Sequence, residues 1–230
     1  MAEDRLNRLK TRKAYSVEIE VAHITRFQAR VRGNSSRDEA SDESCGRTMR
    51  RTVPRQSRET LSRRLSDHIK PGVRILFVGI NPGLRSASTG HHFAGYSNRF
   101  WKLLFESKLV SEPLTYQDDW RLPDWGLGLT NIIQRPSAGI DALKPREYAT
   151  GRKRLVVTVQ RYRPHAIALL GVTIYRRLFP EHLTGRISLG LQDKTLADRP
   201  VFVLPNPSGR NVHYLYRAML AAFRTLNGLG

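Results

Sequence analysis

Three features of the sequence predict an α/β fold, a three-layer α/β/α sandwich around a central, mostly parallel sheet. An apolar run from Ile75 to Val78 drives into a turn built from Gly79, Asn81, Pro82 and Gly83, with an aromatic helix after it. Residues 165–170 and 201–204 have continuous apolar centres, as strands covered on both faces do. Helical patterns stand between and after these strands, so strand and helix alternate along the chain.

The first strand is expected over residues 73–79. Ahead of it residues 59–69 read as a short basic helix stopped by Pro71 and Gly72. A loop rich in small residues leads to the helix expected over 97–107. Residues 118–128, with Trp120, Trp125 and two glycines, read as loop, and 129–133 as a short strand ending at Arg135, Pro136 and Ser137. Pro at an early position, with Leu155, Val159 and Tyr162 on one side, predicts a helix over Pro145–Tyr162. A strand over 165–170, a helix over 172–179 and a strand over 201–204 follow. The closing helix is expected over 212–226, where Leu215, Met219, Phe223 and Leu226 are spaced for one apolar face.

Residues 1–65 read as a basic, largely disordered extension, and residues 66–230 as one folded domain. The stretch 33–57 is polar and has little to bury against the entropy cost of ordering. Val17, Ile19 and Val21 alternate with Glu18 and Glu20, which is the pattern of a short strand without an obvious partner. A misassigned start would also explain an odd extension.

Net charge is +19, from 39 basic and 20 acidic residues. Residues 1–70 carry +7 of this, which leaves +12 on residues 71–230. The folded part is therefore basic in its own right, and this favours nucleic acid held on the domain surface. A basic surface that only aids solubility is the plainer reading. The single cysteine, Cys45, excludes an intrachain disulfide and a cysteine-rich metal site. The histidines show no helix-spaced ligand pair, so no metal is expected. No apolar run approaches the ~18 residues of a membrane helix. With no secretory segment at the N-terminus either, the chain is expected to be cytoplasmic or nucleoid-associated, with no membrane partner.

The most informative stretch is residues 79–105. Gly-Ile-Asn-Pro-Gly at 79–83 precedes a small-residue loop, an aromatic at Phe93, and Asn98-Arg99-Phe100-Trp101-Lys102. Leu-Pro-Asn-Pro-Ser-Gly stands at 204–209. Together these strings resemble the mismatch-specific uracil-DNA and thymine-DNA glycosylases of the uracil-DNA glycosylase superfamily, in order and spacing, from about Ser66 to the C-terminus. The resemblance implies a uracil-DNA glycosylase-like fold, no cofactor, a monomer, and double-stranded DNA with a G:U or G:T mismatch as partner.

The resemblance also implies roles. Asn81 stands where the family aims a water at C1′. A neutral amide cannot be a true general base, but it can accept a hydrogen bond and orient that water. Backbone donors near Gly83 and Leu84 would read the carbonyl edge of the pyrimidine, and Phe93 would stack on the flipped base. His92, Asn131 and Ser137 fall in pocket-lining segments. Asn206, Pro207, Ser208, Gly209 and Arg210 form the loop expected to enter the base stack, with Arg210 as the wedge. Each has a plainer reading: a turn residue before proline for Asn81, a core ring for Phe93, a solvated loop for His92, a surface arginine for Arg210. Phe100 and Trp101 read as helix packing. Arg152, Lys153 and Arg154 read as a solvated helix face without a site.

The function these residues point to is a monofunctional DNA glycosylase that hydrolyses the N-glycosidic bond of uracil, with thymine and other modified pyrimidines as further substrates. No lysine is called for as a Schiff-base nucleophile. A nucleic-acid-binding module on the same fold, without turnover, needs neither Asn81 nor Phe93. A Rossmann-like enzyme for a soluble nucleotide would want Gly-x-Gly-x-x-Gly or a phosphate-binding lysine loop, and Gly79–Gly83 is neither.

Overall fold

The computed structural model describes residues 64–182 and 185–229. The expectations for residues 17–21 and 33–57, and for the first half of the helix at 59–69, lie outside the described residues.

Among the described residues one sheet of five strands has the order β2-β1-β3-β5-β4. The strands are β1 (Ile75–Gly79), β2 (Leu127–Asn131), β3 (Ala166–Leu170), β4 (Gly190–Leu196) and β5 (Arg199–Leu204). The β1–β2, β1–β3 and β3–β5 pairs are parallel, and only β4 runs antiparallel, along β5. The period of two sorts the strand side chains into two layers. Ile75, Phe77, Leu129, Ala168 and Phe202 pack with α2 (Phe100–Glu106) and α5 (Tyr216–Arg224). Leu76, Val78, Ile167, Leu169 and Val203 pack with α3 (Pro145–Tyr162) and α4 (Val172–Leu178). This is the mixed, mostly parallel three-layer sandwich that the apolar runs predict.

Boundaries move where loops recruit helix residues. The helix expected from residue 97 starts at Phe100, because Asn98 Oδ1 accepts the Phe100 N–H at 3.0 Å and the Arg99 N–H donates to Pro207 O at 2.9 Å. The closing helix begins at Tyr216 rather than 212, because Asn211 is spent on its own loop: its amide donates to Asn206 O at 2.8 Å. Residues 64–69 are not helical. The His68 N–H and C=O both pair with Leu129, at 3.1 and 2.8 Å, as an extended strap along β2.

Several elements escape the sequence reading, the short 3-10 turns Ile140–Ala142 and Pro180–His182 among them. The small-residue loop contains α1 (Leu84–Thr89). The loop expected at 118–128 is a 3-10 stretch, Tyr116–Trp125, with a Thr115–Asp118 capping box. Strand β4 is polar along its middle, as an exposed edge strand should be. It joins β5 through Ala197 and Asp198, both at positive φ (49° and 62°), the backbone pattern of a type I′ hairpin turn built here without glycine.

Candidate active site

The site is assembled at the carboxyl edge of β1 and β2, where the parallel pair opens. Gly79 stands beside Asn131 at the end of the register, and the segments that follow β1 and β2 stay paired beyond the sheet. The N–H groups of Ile132 and Ile133 donate to Gly79 O and Ile80 O, each at 2.8 Å, and that of Ser137 to Pro82 O at 3.1 Å. This ladder carries Asn81 to Ser137.

Ser137 then sets the direction of the Asn81 amide. The single hydroxyl hydrogen of Ser137 is used on Gly139 O at 2.7 Å, so its oxygen accepts from Asn81 Nδ2 at 2.8 Å. The same Nδ2 also faces Pro82 O at 3.0 Å and Arg135 O at 3.3 Å. With three acceptors around the NH2 group, Oδ1 must point the other way, and it has no partner among the described residues. The half-buried Asn81 thus presents a fixed neutral acceptor. Its turn role and its exposed acceptor coexist, so the plainer reading of a turn residue is incomplete.

A second wall is built around His92, which is buried. Burial pushes its pKa below 6.5, against a smaller raising effect from the Ser66 carbonyl, and the ring is neutral at pH 7. Ser66 O can only accept, so Nε2 carries the hydrogen and donates to it at 2.9 Å. Nδ1 is then an acceptor, and Asn131 Nδ2 donates to it at 3.3 Å. Asn131 Oδ1 is left lying over Gly79, where any β-carbon would run into it. The end of the Phe93 ring lies 3.5 Å from the same point. Glycine at 79 is required by this close approach, not by its backbone angles.

Phe93 is half-buried and stacks on Phe100, with ring centroids 4.2 Å apart and planes 30° from parallel. Its φ is +52°, in the left-handed region that disfavours a β-carbon. Such a conformation persists where neighbours over-determine it. Arg85 Nε donates to Ala94 O at 2.7 Å, and the buried Ser86 Oγ accepts the Ala94 N–H at 3.1 Å. Both residues therefore brace the Phe93 turn.

The third wall is the loop after β5. Asn206 Oδ1 accepts the Ser208 N–H at 2.9 Å, and the Asn211 N–H returns to Ser208 O at 2.9 Å. Gly209 lies against Ser97 so closely that no side chain would fit there. Arg210 is exposed, but Nη1 donates to Ala138 O at 2.6 Å, so the loop is tied across the site to the segment that carries Ser137. Val212 projects beyond it, 83% exposed.

The sequence-derived residues are therefore brought together in pairs: Asn81 with Ser137, His92 with Asn131, Phe93 with Gly79, and Arg210 with the 137–139 segment. Gly83 bridges to Ser137. Leu84 is 41% exposed at the start of α1. The reading of residues 152–154 as a solvated face fails at Arg154. It donates to Asp67 Oδ2 at 2.9 Å, to Thr130 Oγ1 at 3.3 Å and, by a short bond, to Asn131 O. Ser66, Asp67, Thr130 and Asp119 also support the site and were missed. Only Thr130, inside an apolar run, gives a local signal; Ser66, Asp67 and Asp119 stand among polar neighbours, which do not say what they hold.

Among the described residues no group of three or more His, Cys, Asp or Glu is placed to hold a metal, and no helix is long and apolar enough to cross a membrane. The arrangement offers a neutral, oriented acceptor facing away from its own supports, an aromatic face, and a second amide whose polarity is set from behind. A family model, uracil DNA glycosylase superfamily, matches residues 66–227. The match spans well over half the chain and includes all three walls of the site, so the chain belongs to the uracil DNA glycosylase superfamily and is a DNA glycosylase of that hydrolytic type.

Proposed function

We propose that the protein is a monofunctional glycosylase that removes uracil, and thymine or other modified pyrimidines, from mismatches with guanine in double-stranded DNA, so initiating base excision repair. A base inside a duplex is out of reach. The enzyme must rotate the nucleotide out, at a cost of a few kcal/mol that is least for a mismatched pair. The +12 charge of residues 71–230 supports binding of the duplex backbone.

The observation that carries this reading is the Asn81 amide, whose hydrogens are taken by Ser137, Pro82 and Arg135. In this scheme Oδ1 accepts a hydrogen from a water and aims the water at C1′ as positive charge builds on the sugar. The proton is not held by Asn81, so most of the rate must come from stabilising the departing base anion. Backbone N–H groups near Gly83 and Leu84 would do this electrostatically. Phe93 stacks on the base, and Asn131 Oδ1 accepts a pyrimidine N–H, with His92 and Ser137 orienting the two amides. The loop from Asn206 to Arg210 fills the hole left in the stack, with the Arg210 guanidinium as wedge and donor to guanine or phosphate. No cofactor is called for, and the protein acts as a monomer.

The test is a panel of labelled duplexes holding G:U, A:U, G:T or G:ethenocytosine, together with single-stranded uracil DNA, followed by alkali cleavage at abasic sites. Faster release from G:U than from A:U or single strands supports the mismatch reading. Equal rates on all uracil substrates leave a plain uracil glycosylase. Tight binding without release from any of them would leave only a binding module.

A further inference from the structure

One buried ionisable group next to the site takes no part in the proposed chemistry. Asp119 lies in the 3-10 stretch Tyr116–Trp125 and is 1% exposed. Its Oδ2 accepts the backbone N–H of His92 at 2.8 Å, and Oδ1 meets His91 Nδ1 at 3.0 Å. His68 Nε2 stands 3.4 Å from Oδ2. Burial alone would push the carboxyl up, but the donors of His68, His91 and His92 outweigh it and hold the pKa at about 2. Ionised, the carboxylate can only accept, so His91 Nδ1 must donate to it.

We propose that Asp119 is a positioning residue for base recognition: its carboxylate clamps the His92 N–H and the rings of His91 and His68, and so fixes His92 and Phe93 against Asn131. The strained Phe93 is pinned from both sides. Asp119 holds the N–H of the residue before it, and Ser86 holds the N–H of the residue after it. Without the first pin, Phe93 can leave its positive φ, and its ring then moves off Phe100 and away from Gly79. His68 adds a long-range element, because the same strap supplies Ser66 O to His92 and Asp67 to Arg154 behind Asn131. The clamp therefore joins the start of the domain to the wall that faces the base. Its consequence for catalysis rests on the base-binding reading above.

Two measurements on the full chain test this. The first is the ¹⁵N spectrum of labelled histidine, which reports the ring tautomers without any need for activity. Wild type should show His92 as the fixed Nε2–H form, and Asp119→Ala should replace it with an averaged signal. The second is single-turnover release of uracil from a G:U duplex at saturating enzyme. Asp119→Ala should lose about 10- to 100-fold, the scale of a misplaced reacting group, while affinity for undamaged duplex stays unchanged. Asp119→Asn keeps an oxygen for the His92 N–H and should recover most of that rate. Leu178→Ala, in the opposite layer, controls for lost stability. A wild-type His92 signal in Asp119→Ala would overturn the clamp, as would a rate loss no larger than that of the Leu178 control. Should Asp119→Ala not fold, the histidine spectrum of Asp119→Asn decides: shifted His91 signals support the clamp, and unchanged ones refute it. Absence of uracil release by the wild type would sink the functional reading instead, and the spectra would still judge the clamp.

Discussion

The Asn81 wall and the His92–Phe93 wall meet at the end of β1, where Asn131 and Phe93 approach Gly79, but are held by different kinds of bond. Asn81 rides on a main-chain ladder between the extensions of β1 and β2, and one hydroxyl, Ser137, finishes its orientation. The His92–Phe93 turn has no such ladder. It is held by side chains, Asp119 on one side and Arg85 and Ser86 on the other, with the Ser66 backbone carbonyl behind. A ladder of backbone bonds tolerates substitution of its side chains, whereas side-chain clamps fail one residue at a time. The first wall should be robust except at the Asn81 amide itself, and the second should be sensitive at several supporting positions.

The largest effect is expected at Asn81 itself. Asn81→Ala should lower uracil release by at least about 100-fold, comparable to loss of one oriented polar group in an active site, with the fold intact because the ladder remains. Phe93→Ala removes base stacking worth roughly 1–3 kcal/mol and should slow release by about 5- to 150-fold. The contrast sharpens with Phe93→Gly, which loses the same ring but relieves the positive φ. In thermal melts it should be more stable than Phe93→Ala by about 1 kcal/mol; equal stability would mean that the turn is unstrained. Ser137→Ala removes one orienting hydrogen bond of about 1 kcal/mol and should reduce the rate by about 5-fold at unchanged DNA affinity.

The smallest effect is a pH dependence confined to the second wall. His92 has a folded pKa below its ordinary 6.5, so the unfolded chain takes up a proton that the folded chain refuses. Its contribution to stability is complete above about pH 6.5 and falls as pH drops below that value. Asp119 has the same sign at lower pH. Its contribution is present above the ordinary 3.8 and is lost as pH falls towards about 2. Denaturant titrations between pH 5 and 7 should show His92→Gln flattening the first slope, while Ser137→Ala leaves it as in wild type.

The same contrast decides what could be read from the chain. Gly79, Asn81 and Gly83 sit within five residues, and the strand before them is continuous and apolar, so the turn, the sheet and the place of the Asn81 amide at its edge were legible together. The helix at Pro145–Tyr162 was legible to the residue from its proline and its periodicity. Asp119 was not. It lies between Asp118 and Trp120 in a stretch whose glycines and tryptophans signal a loop, and nothing local says that one of two adjacent aspartates is buried under three histidines. Arg154 was hidden for a similar reason: its partners sit at Asp67 and Asn131, far along the chain. Strand β4 was lost because an edge strand needs a polar face, and its turn uses Ala197 and Asp198 in place of the usual Asn-Gly.

The most direct test of the account is single-turnover release of uracil from a labelled duplex with one G:U pair, by wild type and Asn81→Ala side by side, with binding to the same duplex measured for both. Wild type should release uracil and the variant essentially none, at closely similar affinities. Release by Asn81→Ala at the wild-type rate would contradict it, because the oriented acceptor on which the first wall is built would then have no part in the chemistry.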